Sequence, residues 1–436
     1  MEAKAKLYIG SDAIRLESDW GKIKRKNGFR GGMLMNKALL ELIYEAASFQ
    51  RWNDHIRPHK GFTELDKQGH KMFFAYILGR FEEIDKKTSI DWVKLIEGGI
   101  FEFLHRLVVT DIKPPVFYKL MEKKSEELNG WVLEEIQSRI KTLPKEFFNE
   151  FEKYLQRPSQ DFLEKRILKA AHYLATNWEF KFIYHMSKGL YGLEETKQRI
   201  ENEIEEHYNL AGVQKLSLSK KTGNFLDLVG QLRFQQRWAQ APRIPETSVM
   251  GHMLIVGIMG YFVTKQIDGC SNRLYNNFFG GLLHDLPEVL TRDIISPVKR
   301  SVQGLEDLIK DIESRQVEEQ ILPLVPEELH EEIRYFTDNE FASKVIRNNK
   351  VEVVSTDAIC KKYNEDRYFP LDGEIIIACD RLAAFLETAI SLQHGIRSHH
   401  ILEGYHALAE KNKDLKAGPV DFSCIYEEFL EARMEE

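Results

Sequence analysis

Residues 280–298 read GGLLHDLPEVLTRDIISPV, and residues 98–116 read GGIFEFLHRLVVTDIKPPV. Both segments begin with Gly-Gly, continue with apolar residues at helical spacing, and end with Asp-Ile followed by Pro-Val. A recurrence of this length is the first feature to explain in a chain, because an internal repeat fixes the domain organisation. The pair predicts a helical unit that occurs twice.

Other residues recur in the same order on either side of this segment. The pairs that we align are Arg51 with Arg237 (186 positions apart), His70 with His252 (182), His105 with His284 (179) and His172 with Asp380 (208). Two long copies indicate a duplicated domain rather than a solenoid. We predict domains over residues 1–212 and 213–436, joined near residues 212–223, with an extra segment in the second copy between Phe336 and Asp372.

Helical periodicity dominates the rest of the chain. Residues 37–49, 71–84 and 373–393 carry apolar side chains at three- and four-residue spacing, which is typical of amphipathic helices. The fold class is therefore predicted to be all-α. Residues 6–10 and 350–357 are candidates for a minor β-hairpin, and the polar residues 216–223 are the candidate linker.

The composition is that of a globular protein of 436 residues, with 43% hydrophobic and 30% charged residues. A net charge of −7 provides no global basic field, so no nucleic-acid polymer is expected as a partner. The four scattered cysteines and the absence of an apolar signal segment at the N-terminus predict a cytoplasmic protein. The longest apolar run, at 253–263, has only 11 residues, which predicts that the protein has no membrane partner. The apolar run is predicted to be a buried helix.

Candidate chemistry lies in the second copy, as His252, the adjacent pair His284-Asp285, and Asp380. A lone His-Asp dipeptide is weak evidence, but here each residue lies in an apolar, helix-forming stretch. A buried carboxylate is costly unless it is paired or binds a metal. Two imidazoles and two carboxylates converging from three helices suit a divalent cation.

Each of these residues also has a structural explanation when it is taken alone. A single histidine on an apolar helix is more often a hydrogen-bonded core residue, and Asp380 could pair with the neighbouring Arg381. Taken together in this order, the four residues favour a metal site.

The same order resembles the HD superfamily of metal-dependent phosphohydrolases. Residues 284–299 are similar to the second block of the bacterial HD-type 5′-deoxynucleotidase subfamily, HD-x-x-E-V-L-T-x-D-x-x-x-P-V-K. The resemblance covers residues 226–392 and includes the Arg237-Trp238 pair. The first histidine block departs from the family pattern, because Gly251 precedes His252 where the family has Glu.

The resemblance implies a role for each matching residue. The metal ligands would be His252, His284, Asp285 and Asp380. Glu288 would orient or deprotonate a metal-bound water, and Asp293 would protonate the leaving oxygen; alternatively, these two are helix-end or turn residues.

The resemblance also implies the substrate contacts. Arg237 would hold the phosphate, Trp238 would pack against the sugar, and Lys299 would add positive charge, unless it is a solvated lysine. The predicted activity is release of phosphate from (deoxy)nucleoside 5′-monophosphates, with one divalent ion (Mn, Co, Fe or Zn) as cofactor and a nucleotide or similar phosphomonoester as the small-molecule partner. A homodimer is allowed. The alternatives are hydrolysis of another nucleotide class, such as dNTPs, cyclic nucleotides or guanosine polyphosphates, and a nucleotide-binding regulatory protein with vestigial catalysis.

In this alignment the first copy keeps His70 and His105 at the positions of the two ligand histidines but lacks both carboxylate ligands. Arg106 replaces the aspartate of the His-Asp pair, and His172 replaces the last aspartate. A guanidinium cannot bind a cation. We therefore predict a degenerate, metal-free N-terminal domain, which could alternatively bind a phosphorylated effector in a cationic pocket of Arg51, Arg106, His70 and His105.

Overall fold

The computed structural model describes residues 35–52, 61–110, 112–140, 145–156, 162–218, 220–292, 294 and 302–431. Most of these residues are helical, and two small two-stranded antiparallel sheets complete the fold. The prediction of an all-α fold with a minor hairpin is confirmed. The predicted strand at residues 6–10 lies outside the described residues. None of the described helices is long and apolar enough to cross a membrane.

The first three helices of the first half start at side chains that cap their backbone. Asn36, Thr63 and Asp91 each accept a hydrogen bond from the backbone N–H of the third residue after them. The helices are α1 (Lys37–Glu45), α2 (Glu64–Lys86), α3 (Trp92–Val109), α4 (Pro114–Arg139), α5 (Lys145–Gln156), α6 (Leu163–Met186), α7 (Leu193–Glu205) and α8 (Ala211–Ser217).

The second half is more interrupted. Short 3₁₀ or π segments cover Gln231–Arg233, Val317–Ile321, Leu322–Leu324, Glu327–Leu329, Ile359–Tyr363 and Asp366–Tyr368. The α-helices are α9 (Lys221–Gly230), α10 (Val249–Gln266), α11 (Ser271–Leu283), α12 (Glu288–Thr291), α13 (Leu305–Gln316), α14 (His330–Thr337), α15 (Thr356–Ala358), α16 (Gly373–Gln393), α17 (His399–Asn412) and α18 (Ser423–Glu431).

Two hairpins form the sheets. Strand β1 (Lys344–Arg347) pairs with β2 (Lys350–Val353), and Asn348 and Asn349 between them both have positive φ. A two-residue type I′ turn, whose twist matches that of the flanking strands, requires positive φ at both central residues. Asn tolerates positive φ better than most residues. The predicted strand at 350–357 is thus found over its first four residues. The second hairpin, β3 (Lys416–Ala417) with β4 (Val420–Asp421), was not predicted.

Helices α10 and α11 form an antiparallel pair at the centre of the second half. The apolar run 253–263 lies within α10 and is entirely buried, as predicted. A Cβ on Gly281 would lie 2.8 Å from backbone atoms of Gly257, and one on Gly257 would lie 2.9 Å from the carbonyl oxygen of Phe278. Because glycine lets the two backbones approach this closely, the first turns of α10 lie beside the end of α11.

The two halves share one hydrophobic core rather than meeting across a linker. The predicted linker at 216–223 is wrong for most of its length: α8 ends at Ser217 and α9 begins at Lys221, and Leu216 is buried. Ser217 and Lys221, at the facing ends of these two short helices, are both exposed. At the start of α10, the Ser248 hydroxyl donates to the carboxylate of Asp66 in α2, which joins the first turns of the two helices.

Candidate functional site

Three helices of the second half bring four of the predicted ligands together. His252 lies in the first turns of α10, His284 follows the last residue of α11, and Asp380 lies in the second turn of α16. Potential ligand atoms of these three residues all lie within 4.8 Å of one another. Asp285 adjoins the group, because its Oδ2 is 3.1 Å from His284 Nε2 and 3.8 Å from His252 Nε2.

The partner of Asp380 is His252, not the neighbouring Arg381. His252 Nε2 and Asp380 Oδ1 are 3.0 Å apart. Burial alone would raise the pKa of Asp380, but this hydrogen bond and the charge of His252 hold the pKa below its usual range. Asp380 is therefore ionised at neutral pH.

His284 and Asp285 are also a charged pair. Burial alone would lower the pKa of His284, but the adjacent carboxylate outweighs burial and raises that pKa to about 9. Burial would likewise raise the pKa of Asp285, and the charges of His284, and then of His252, hold it well below its usual range. The cluster therefore presents two carboxylates, and these stabilise positive charge placed between them.

The donor set suits a divalent cation. His284 Nδ1 lies 2.8 Å from the carbonyl oxygen of Gly281, which can only accept a hydrogen bond. Nδ1 therefore carries a proton in both protonation states of the ring, and Nε2 becomes the ligand atom when a metal displaces the proton that it shares with Asp285. Two imidazole nitrogens with carboxylate oxygens fit Mn²⁺, Fe²⁺, Co²⁺ or Zn²⁺.

Arg237 and Trp238 lie at the edge of this cluster. Arg237 Nη1 is 3.7 Å from Asp285 Oδ2, and its side chain is 12% exposed. The backbone of Trp238 has a φ of 55°. Its indole packs against Gly404 of α17, so closely that a Cβ at position 404 would lie 2.6 Å from the ring. The guanidinium thus reaches the group of potential ligands while remaining partly open to solvent.

Glu387, in α16, fixes this pair and was missed by the sequence analysis. Its carboxylate accepts from the Trp238 indole N–H (2.8 Å), from Arg237 Nε (3.3 Å) and from the Thr247 hydroxyl (2.6 Å). The side chain is fully buried. A signal was present, because Glu387 and Glu179 are separated by 208 positions, as are Asp380 and His172.

Of the remaining predicted site residues, Glu288, Asp293 and Lys299, only Glu288 lies among the residues that the structure describes. Glu288 begins α12, is buried, and donates its backbone N–H to the carbonyl oxygen of Asp285. It therefore lies directly beyond the His284-Asp285 pair. Asp293 and Lys299 lie outside the described residues.

The first half repeats the Arg-Trp arrangement. Glu179 Oε2 accepts from Arg51 Nε and from the Trp52 indole N–H, both at 2.9 Å. Trp52, like Trp238, has a positive φ, here 67°.

The two histidines of the predicted cationic pocket, His70 and His105, contact other residues instead. His70 Nε2 bonds to the carbonyl oxygen of Leu226, and its ring packs edge-on against Trp178. His105 Nε2 bonds to Asn129. The predicted cationic pocket of Arg51, Arg106, His70 and His105 is therefore wrong in its histidines, because both rings are held in the core by these contacts.

Comparison with known proteins concerns the second half. A family model described as an HD domain matches residues 229–409. A 5′-deoxynucleotidase from Shewanella oneidensis is 26% identical over 166 residues, which is 37% of this chain and 82% of that protein. A 5′-deoxynucleotidase from Vibrio atlanticus is 26% identical over 144 residues, which is 32% of this chain and 72% of that protein. Residues 229–409 therefore match the HD-domain family, and part of the chain is distantly similar to bacterial 5′-deoxynucleotidases.

Proposed function

We propose that this HD domain hydrolyses (deoxy)nucleoside 5′-monophosphates in a reaction that depends on a divalent metal. The observation that carries the proposal is the convergence of His252, His284, Asp285 and Asp380 beside the guanidinium of Arg237. The distant 5′-deoxynucleotidase relatives support the choice of a monophosphate.

The four converging residues would hold the metal, which we expect to be Mn, Co, Fe or Zn. When bound, such an ion lowers the pKa of water and neutralises charge on a phosphoryl oxygen. The residues themselves present the oxygen and nitrogen atoms for it, and their partly buried carboxylates are ionised at neutral pH.

Arg237 would bind the phosphate group of the substrate. A guanidinium presents a planar fork of donors that matches phosphate oxygens. Glu387 takes up the Nε side of this fork, so the Nη side remains directed toward Asp285 and the cluster. Trp238, anchored by the same carboxylate, would contact the sugar.

The proton transfers would use carboxylates after the His-Asp pair. Glu288 would orient the attacking water and accept its proton, since it is buried directly beyond Asp285. Asp293 would protonate the leaving nucleoside oxygen, and Lys299 would add positive charge near the phosphate. A regulatory, non-hydrolytic role is less well supported, because Glu288 and Asp293 are both retained in the sequence.

A metal analysis coupled to a substrate screen tests this function. We expect the purified full-length protein with Mn²⁺ or Co²⁺ to release phosphate from deoxynucleoside monophosphates faster than from dNTPs, cyclic nucleotides or guanosine polyphosphates. Asp380→Asn should lose bound metal and at least ~10²-fold in kcat. The matched variant His172→Asn should lose neither. Nucleotide binding without phosphate release from any of these substrates would refute the proposal.

We also propose that the chain is a tandem duplication, with a metal-free first domain over residues 1–212 and the active domain over 213–436. Arg51 N–H donates to the carbonyl oxygen of Phe62 as Arg237 N–H donates to that of Thr247. The Glu179 and Glu387 contacts with the two Arg-Trp pairs support the same proposal. The hairpin β1–β2 lies within the segment that the second copy would have gained.

A further inference from the structure

The first half contains a cluster of cationic side chains at its Arg-Trp pair. Two lysines of α2, Lys67 and Lys71, are completely buried. Lys67 Nζ contacts His172 Nδ1, and Lys71 Nζ pairs with Glu102, whose side chain is 29% exposed. Fully buried lysines are rare in proteins and require compensation.

Backbone contacts determine which residues occupy the positions of the metal ligands. Thr63 and Ser248 each lie directly before a helix. The carbonyl oxygen of Thr63 accepts from the backbone N–H of Lys67, and that of Ser248 accepts from the backbone N–H of His252. Lys67 therefore stands at the helix position of His252. It contacts His172 as His252 contacts Asp380.

A second pair of contacts aligns the following helix. Thr110 and Arg292 both have positive φ and donate their backbone N–H to Arg106 and Glu288. Arg106 therefore stands at the position of the proposed base Glu288. The same register places Glu102 at the position of His284.

Basic side chains outnumber carboxylates among the described residues of the cluster. Arg51, Lys67, Lys71 and Arg106 face Glu64, Glu102 and Glu179. Burial lowers the pKa of Lys67 well below its usual range, and an anion bound beside Lys67 would favour its charged form. One carboxylate is shared further, because Glu179 also pairs with the buried Arg233. Burial and the four cations hold the pKa of His172 well below its usual range, so this ring adds no charge at neutral pH. The cluster reaches the surface, since the Arg106 side chain is 25% exposed.

We propose that this cluster, formed by Arg51, Lys67, Lys71, Arg106 and His172, binds a phosphate group without a metal ion. Guanidinium and ammonium groups supply the positive charge that a divalent cation would supply in the second half. The ligand class is a phosphate-bearing anion, either inorganic phosphate or a nucleoside monophosphate. The inference uses the proposed duplication to align the two sites, and it does not depend on hydrolysis in the second.

Binding to the metal-free protein tests the inference independently of activity. Full-length protein in excess chelator, at constant ionic strength, is titrated calorimetrically with inorganic phosphate, 2′-deoxyadenosine 5′-monophosphate or 2′-deoxyadenosine. We expect one phosphate per chain and no binding of the nucleoside. Tighter binding of the monophosphate than of phosphate would identify a nucleotide ligand, and equal affinities would identify the phosphate group alone.

Lys67→Met and Arg106→Gln should each weaken phosphate binding by roughly 10-fold or more, because each removes one charged contact. Lys344→Met is the matched control: Lys344 is also a buried lysine, but it bonds to the backbone carbonyls of Tyr335 and Asp338. This variant should bind phosphate as the wild type does. Absence of phosphate binding by the wild type, unchanged binding by both cluster variants, or an equal loss in Lys344→Met would overturn the inference.

Discussion

At the scale of single residues, the buried carboxylate of Glu387 determines the position of Arg237 and Trp238. Burial alone would raise its pKa, but the charges of Arg237 and then Arg243 outweigh burial and lower the pKa to about 2. The folded-state pKa thus lies below the unfolded value near 4.5. Ionised Glu387 therefore stabilises the fold above about pH 4.5, and this contribution is lost as the pH falls toward 2.

Glu387→Gln tests this contribution. At pH 7 the variant should lose roughly 3 kcal/mol of unfolding free energy, because a shift of one pKa unit corresponds to about 1.4 kcal/mol. The difference from the wild type should shrink as the pH is lowered from 4.5 toward 2, as measured by urea unfolding with circular dichroism. The exposed Glu410, which pairs with Lys413, provides the control, and Glu410→Gln should unfold as the wild type does. A difference that does not vary with pH would contradict this account.

The order of residues in the sequence predicted four residues that converge in the structure, because charged and histidine side chains are rare in apolar helices. It did not predict Glu387, since a single glutamate in a helix has no distinguishing neighbour until its partners are known. The alignment of His70 with His252 matched identical residue types. Under the proposed duplication, the distance from the start of each helix would instead align Lys67 with His252.

At the scale of elements, the approach of α10 and α11 brings His252 to His284. Gly281→Ala would place a methyl group 2.8 Å from the backbone of Gly257. Because backbone cannot move aside as a flexible side chain can, we expect a loss of about 1–3 kcal/mol and weaker metal binding. Gly130→Ala in α4 is the control, since nothing lies within 4 Å of its added Cβ. It should stabilise the protein by up to ~1 kcal/mol.

Thermal unfolding and metal titration of the two variants would check this prediction. Equal stabilities for Gly281→Ala and the wild type would show that the helices separate without cost. Apolar periodicity predicted helices at 37–49, 71–84 and 373–393, and the structure has helices over 37–45, 64–86 and 373–393. The linker prediction failed because polarity alone does not distinguish a loop from a short exposed helix, and β3 and β4 are too short to show alternation.

At the scale of the whole molecule, buried polar contacts join the two halves within their shared core. Glu332 of α14 accepts from the hydroxyl groups of Tyr76 and Tyr275, both at 2.8 Å, and pairs with Arg80 of α2. Tyr44 of α1 donates to the carbonyl oxygen of Ala383 in α16 at 3.0 Å. The sequence predicted two copies but could not indicate a joint core, because apolar residues do not specify which partner buries them.

We expect the full chain to unfold in one cooperative transition, and Glu332→Ala to shift that transition. Removal of this carboxylate takes away the main counter-charge of the Arg80 guanidinium, which is 18% exposed and keeps only Glu83 among the described carboxylates, and this costs about 1–3 kcal/mol. Urea unfolding followed by tryptophan fluorescence and by far-ultraviolet circular dichroism should give coincident curves. Two separate transitions in the wild type would show that the halves are independent.

The hydrogen bond from Ser248 to Asp66 places the helix starts of both sites in one connected structure. Asp66 directly precedes Lys67, and Ser248 lies one turn before His252. If an anion bound in the first half changes the affinity of the second site for its ligand, that ligand changes the affinity of the first site for the anion by the same factor. Both sites also belong to one chain, so their ratio is fixed at one to one. Such coupling would be independent of protein concentration, unlike control exerted by a dissociable subunit.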